Sequence, residues 1–133
     1  MPAAEPPRPG GEWREERRRT RQVRQRRGHR AEWLAALALR VRGYRIVARR
    51  QKTPLGEIDL IAVRGRRLAF VEVKRRATRA EAEAAITPEQ RARVRRAAGL
   101  WLARNARYQS HEIGFDLVFQ LPRRWPVHLE NGL

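Results

Sequence analysis

The stretch that decides the fold is Gly56-Glu57-Ile58-Asp59-Leu60-Ile61, followed at short range by Phe70-Val71-Glu72-Val73-Lys74. Charged groups interrupt two runs that otherwise read as fully buried strands. Between them, Arg64-Gly65-Arg66-Arg67 supplies a turn, with glycine where φ > 0 carries no steric cost. A two-residue Gly65-Arg66 turn sets Arg64 against Arg67, and the same antiparallel register sets Asp59 opposite Glu72. Opposed residues have Cβ atoms about 4.5–5.5 Å apart, so two carboxylates there repel unless a cation or a shared proton separates them. Strand period 2 adds Lys74 to the face of Glu72 and Glu57 to that of Asp59. An acidic pair with a lysine beside it, at one end of an otherwise apolar sheet, suits a metal ion and a phosphate.

Away from its charged end the hairpin is apolar on both faces. Ile61, Val63, Leu68 and Phe70 line one; Ile58, Leu60, Ala62, Ala69, Val71 and Val73 line the other. Central strands of a sheet covered on both sides have this pattern. Residues 44–48 read as a preceding strand. Residues 31–41, with Trp33, Leu34, Leu37, Leu39 and Val41, read as a largely buried helix ending at Gly43 and set off by Gly28 from what precedes it. Glu32 is the exception on that helix, in a first turn where a carboxylate favours the helix terminus.

Downstream, Thr87-Pro88-Glu89-Gln90 gives a Thr N-cap, Pro at the first helical position and Gln three residues after the cap. Val94, Ala97, Ala98, Trp101 and Leu102 form the apolar stripe of this helix, and six arginines from Arg91 to Arg107 fill much of the rest. Gln90 lines up with Val94, Ala97 and Trp101, so it either caps the helix or faces the site. Residues 115–121 form a strand closed by Pro122, and residues 125–129 a short edge strand that tolerates Pro126. Residues 75–86, with several Ala and Glu, read as a long connection of no clear periodicity. The order helix, three strands, helix, strand requires a crossover between the third and fourth strands. The fold class is therefore α/β, an αβββαβ core with a mixed sheet flanked by helices.

The 133 residues suit one domain with a single core, and 41% hydrophobic content supports a globular body. No apolar run reaches the length of a membrane span, and no export signal opens the chain, so the expectation is a cytoplasmic protein with no membrane partner. There is no cysteine, and the three histidines are isolated, which argues against a zinc site. A net charge of +17 points to a polyanionic partner, most simply nucleic acid. Residues 1–30 hold ten Arg against four Glu, leaving the remainder at about +11 by subtraction. Residues 1–11 are Pro/Gly-rich and expected to be disordered, and residues 12–27 are a charged run, either a solvated helix or an arm. The chain uses 29 Arg but only two Lys, at positions 52 and 74. A lysine amine is a compact charge of tunable proton affinity, which singles out Lys74 for chemistry or tight geometry; Lys52 has no such context.

These residues resemble the PD-(D/E)xK nuclease superfamily and, within it, the YraN-like family (UPF0102), small bacterial proteins predicted to be endonucleases akin to Holliday-junction resolvases. The hexapeptide at 56–61, the pentapeptide at 70–74 and the αβββαβ order carry the likeness. Ala31-Glu32, Gly43-Tyr44 and Phe115-Asp116 add to it, from about Gly28 to Asn131. The resemblance implies a restriction-endonuclease-like domain over residues 28–131, behind a basic arm at 1–27. It implies Asp59 and Glu72 as metal ligands for Mg²⁺ or Mn²⁺, Lys74 as the residue orienting the attacking water, Glu32 as an accessory carboxylate and Gln90 near the site. Two positions depart from the family pattern: Gly114 stands where Arg precedes Phe-Asp, and Arg50 where Asn follows Arg. Asp116 is open to a purely structural role. The expected activity is metal-dependent phosphodiester hydrolysis in DNA, including branched DNA, with RNA the less favoured substrate. A homodimer is compatible with it. The alternative is a catalytically silent nucleic-acid-binding protein whose acidic cluster is a structural salt bridge.

Overall fold

The computed structural model describes residues 12–133; the expected disorder of residues 1–11 lies outside them. Helix α1 spans Glu12–Val41, followed by β1 (Arg45–Thr53), β2 (Gly56–Arg64) and β3 (Arg67–Arg75). Helices α2 (Arg79–Ala84) and α3 (Pro88–Arg104) lead through a 3₁₀ turn (Ala106–Tyr108) to β4 (Glu112–Gln120) and β5 (Val127–Leu129). The five strands lie in chain order in one sheet. Strands β1, β2 and β3 form an antiparallel meander, β4 returns parallel to β3 after the α3 crossover, and β5 closes the far edge antiparallel to β4. The fold is α/β, with a mixed sheet flanked by helices, as the pattern required.

The decisive hairpin has the expected register, from Arg64↔Arg67 at the turn to Leu60↔Val71. Gly65 takes φ +58°, which its lack of a Cβ permits. The two sheet faces are covered differently. On one, Ile61, Val63, Leu68 and Phe70 pack against Val94, Ala97, Ala98 and Trp101 of α3. Phe70 stacks on Phe115 and meets Trp101 edge-on, each at 5.8 Å between ring centroids. On the other, Leu60, Ala62, Ala69 and Val71 pack against Ala35, Ala36 and Leu39 of α1.

By contact the chain divides after Arg30, and the unit from Ala31 to Leu133 contains the sheet. Within the preceding unit the side chains of residues 15–19 are exposed. Gly28 does not interrupt α1, because an interior glycine costs only about 1 kcal/mol relative to alanine and its Arg and Gln neighbours are good helix formers. Nor is the 31–41 segment buried all round. Its buried positions are mostly alanines, while Trp33 and Val41 are 53% and 70% exposed. Strand β1 runs five residues beyond its expected end, and β4 starts at Glu112 rather than 115. The unassigned connection contains α2, capped by the Thr78 hydroxyl, which accepts the Glu81 N–H at 3.2 Å.

Candidate active site

The hairpin ladder stops at Leu60↔Val71, one residue short of the two carboxylates. There Asp59 takes over a backbone donor: its Oδ2 accepts the Val73 N–H at 2.8 Å. Glu72 lies buried beside it, 7% exposed. Its Oε1 accepts the Gln90 amide at 2.7 Å and faces the Lys74 ammonium at 3.3 Å. Thr87 caps α3 through the Gln90 main-chain N–H at 3.1 Å. The helix cap thus uses the Gln90 backbone, and the side chain is left for Glu72.

Glu32 enters from α1. It is held by Arg50 of β1, whose Nε–H donates to Oε2, and its charge is felt at Asp59. Four of the five candidates therefore touch or sense one another around Asp59 and Glu72, and Gln90 closes the set through Glu72. Glu57 does not join them. It is exposed and pairs across the ladder with Lys52. Among the described residues no three His, Cys, Asp or Glu side chains gather closely enough to hold a metal ion.

Burial and the neighbouring Glu72 push the Asp59 carboxyl up to about 7, against the Val73 N–H and Lys74, which favour its ionised form. Burial also raises Glu72, opposed by Lys74 and by Arg93 of α3. Two crowded carboxylates at a water-poor strand end favour a shared proton or a cation. A carboxyl held above its unfolded value keeps a proton that the unfolded chain has lost. Folding stability should therefore fall as pH rises from about 4 to about 7. Asp59→Asn retains the oxygen that accepts the Val73 N–H and removes this ionisation. It should flatten the decline and be the more stable protein at pH 8 without metal. Urea midpoints at pH 5 and pH 8 that fall equally in both proteins would refute the assignment.

Two arginines of the site carry no periodic signal in the sequence. Arg93 lies across Gly56: a Cβ at that glycine would stand 2.9 Å from the Arg93 Cγ, and Gly56 also holds φ +143°. The glycine of the hexapeptide is thus needed for both conformation and close approach. Arg50 reaches Glu32 from a backbone with φ +45°, unusual for a side-chain-bearing residue.

A second polar cluster lies on the α1 face of the sheet. Asp116 is fully buried and receives both Nη groups of Arg67 at 2.7 Å, the Asn131 N–H at 2.9 Å and His128 Nε2 at 2.7 Å. Arg42 donates to His128 Nδ1, so the proton between the imidazole and Asp116 sits on Nε2. Burial pushes Asp116 up, but Arg67, His128 and Asn131 outweigh it and hold the carboxyl well below the usual range. The Arg67 guanidinium lies where a side chain at position 114 would be, 2.2 Å from a Cβ built on Gly114. Asp116 belongs to this internal ion pair.

Compared with known proteins, residues 31–119 match the model of the family described as "Uncharacterised protein family UPF0102". The match begins at the residue where the sheet-bearing unit begins. A UPF0102 protein of Chelativorans sp. (strain BNC1) is 57% identical over 116 residues, covering 87% of this chain and 94% of its own. One from Mesorhizobium japonicum is 55% identical over 113 residues, 85% of this chain and 90% of its own. One from Parvibaculum lavamentivorans is 51% identical over 105 residues, 79% of each. The chain belongs to the family UPF0102.

Proposed function

We propose that this protein is a metal-dependent endonuclease that hydrolyses phosphodiester bonds in DNA, acting in the cytoplasm. The observation that carries the reading is the junction at the open end of the β2–β3 ladder. There Asp59 and Glu72 interact in partial burial, with Lys74 beside Glu72 and Gln90 donating to it. A hairpin bearing Asp on one strand and Glu-x-Lys on the next is also what makes the chain resemble PD-(D/E)xK nucleases. The donor set fits a hard cation. Mg²⁺ and Mn²⁺ favour oxygen ligands, and Mg²⁺ commonly takes only one or two carboxylates, with waters and phosphate oxygens completing the shell. Asp59 and Glu72 would hold the ion, which when bound neutralises phosphate charge and acidifies a water.

The chain's own residues divide the remaining work. Lys74 places a positive charge beside the carboxylate pair, where it can hold the attacking water or the scissile phosphate. Gln90 holds Glu72 through a hydrogen bond to its Oε1. The Val73 N–H anchors one Asp59 oxygen and leaves the other for a ligand. The basic exterior draws in the polyanion. The test is cleavage of branched, flapped, single-stranded and duplex DNA, with matched RNAs, in Mg²⁺ and in Mn²⁺. Metal-dependent cutting of DNA is expected. RNA cut in preference would move the substrate class, and no cutting of any substrate would defeat the enzyme reading.

One observation favours a silent nucleic-acid-binding protein instead: Glu32 is occupied by Arg50, so the acidic cluster is partly neutralised from within. In both readings affinity should fall steeply with salt, because each neutralised phosphate releases counterions. The chain stays strongly basic without residues 1–27, so deleting them should weaken binding without abolishing it. Loss of all binding in the truncated, folded protein would locate the interface in the arm.

A further inference from the structure

We propose that Arg50 is a phosphate-binding residue for the DNA backbone at this site and that Glu32 is the positioning residue that aims it, not a metal ligand. The inference rests on the nuclease reading and gives the substrate a defined contact. In the sheet, Arg50 lies between the pairs Arg49↔Leu60 and Gln51↔Ile58, which sets it across from Asp59. Its left-handed backbone, φ +45°, is one that side-chain-bearing residues seldom adopt and that recurs at functional sites. Glu32 engages only the Nε–H of the guanidinium. The two Nη groups make no hydrogen bond among the described residues, and the Arg50 side chain is 38% exposed, against 16% for Glu32.

A carboxylate that takes Nε fixes the plane of the guanidinium. The two Nη groups remain as a fork of parallel donors, the geometry that matches two oxygens of one phosphate. A structural ion pair has no need to leave that fork free at the edge of a carboxylate cluster. Glu32 in turn has its Oε2 committed to the Arg50 Nε–H.

The test compares Arg50→Gln, Arg50→Lys, Glu32→Gln and Glu32→Ala with the wild type, using a fluorescent branched DNA and Mn²⁺. In anisotropy titrations with Ca²⁺ in place of Mn²⁺, Arg50→Gln should lower the slope of log K against log salt by about 1, one phosphate contact. Glu32→Ala should do the same although it removes a negative charge, because it releases the guanidinium. Glu32→Gln still offers an oxygen to Nε and should keep most of the slope. Arg50→Lys retains the charge without the fork and should recover only part of it. In cleavage, Arg50→Gln should lose about 10²-fold, the scale of one positioned donor. Both Glu32 variants should keep the full Mn²⁺-induced rise in melting temperature. Glu32→Gln losing that rise would make Glu32 a metal ligand and overturn the inference, as would unchanged salt slopes in Arg50→Gln and Glu32→Ala. A wild type that cuts nothing would defeat the nuclease reading alone, and the salt slopes would still decide whether Arg50 holds a phosphate.

Discussion

Lys74→Ala should remain folded, bind DNA with nearly wild-type affinity and lose metal-dependent cleavage by about 10²–10⁴-fold, the range for a positioned acid–base or charge-stabilising group. The side chain lies at the end of the sheet, its ammonium 3.3 Å from Glu72, so its removal opens no hole in either core. One positive charge among 31 contributes little to the long-range field. Glu72 keeps its Gln90 hydrogen bond and the nearby charge of Arg93, so the carboxylate pair survives. Lys74→Arg restores charge but brings a bulkier, rigid fork into a site that is mostly buried, and it should be nearly as inactive. Single-turnover cleavage measures chemistry, and anisotropy on the same substrate measures binding. Equal cutting by wild type and Lys74→Ala would remove Lys74 from the mechanism. Tight binding by a wild type that cuts nothing in either metal would leave the silent-binding reading in its place.

The largest stability effects should come from the other cluster. Removing one member of a buried ion pair leaves the partner's charge uncompensated, at a cost of about 3–5 kcal/mol. Arg67→Ala strands Asp116, which is fully buried and retains only His128 and the Asn131 N–H. A fall in melting temperature of about 10–20 °C is expected for a domain of this size. Asp116→Asn keeps the shape and part of the bonding and should cost less. Because Asp116 is held below the ordinary carboxylate range, its stabilisation is complete at neutral pH. It should fade as acid protonates it below about pH 4, a loss absent from Asp116→Ala. At temperatures where the variants are folded, cleavage should be near normal. Differential scanning calorimetry supplies the first comparison, and a melting shift under about 3 °C for Arg67→Ala would show that the pair contributes little.

The hairpin and the α3 cap were legible because they depend on local rules. A two-residue turn fixes a register, and Thr-Pro-x-Gln marks a helix start in any context. The strand period then put Lys74 on the face of Glu72 without further information. Position 90 was ambiguous for a physical reason: a capping glutamine and a site-facing one need the same residue at the same place, and only the buried Glu72 carboxylate decides between them. Arg50 was illegible because a left-handed residue inside an edge strand breaks the alternation used to assign faces. Arg93 was hidden in an arginine-rich helix face where every neighbour has the same chemistry. The alanine face of α1 misled in the opposite direction. A wheel that is apolar nearly all round suggests complete burial, whereas small residues on the sheet side leave the bulky Trp33 in solvent. The role of Asp116 is not legible in the sequence, since its partners come from positions 67, 128 and 131.

The Arg67 guanidinium over Gly114 also constrains how this sequence can change. With the arginine in place, any side chain at 114 collides with it; with the arginine gone, Asp116 is left buried beside fewer donors. The two positions therefore form an epistatic pair. Changing position 114 first displaces the guanidinium from Asp116, and changing position 67 first removes it. A side chain at 114 requires the Arg67 guanidinium to shift, so the effect of a substitution at either position will depend on which residue the other already holds.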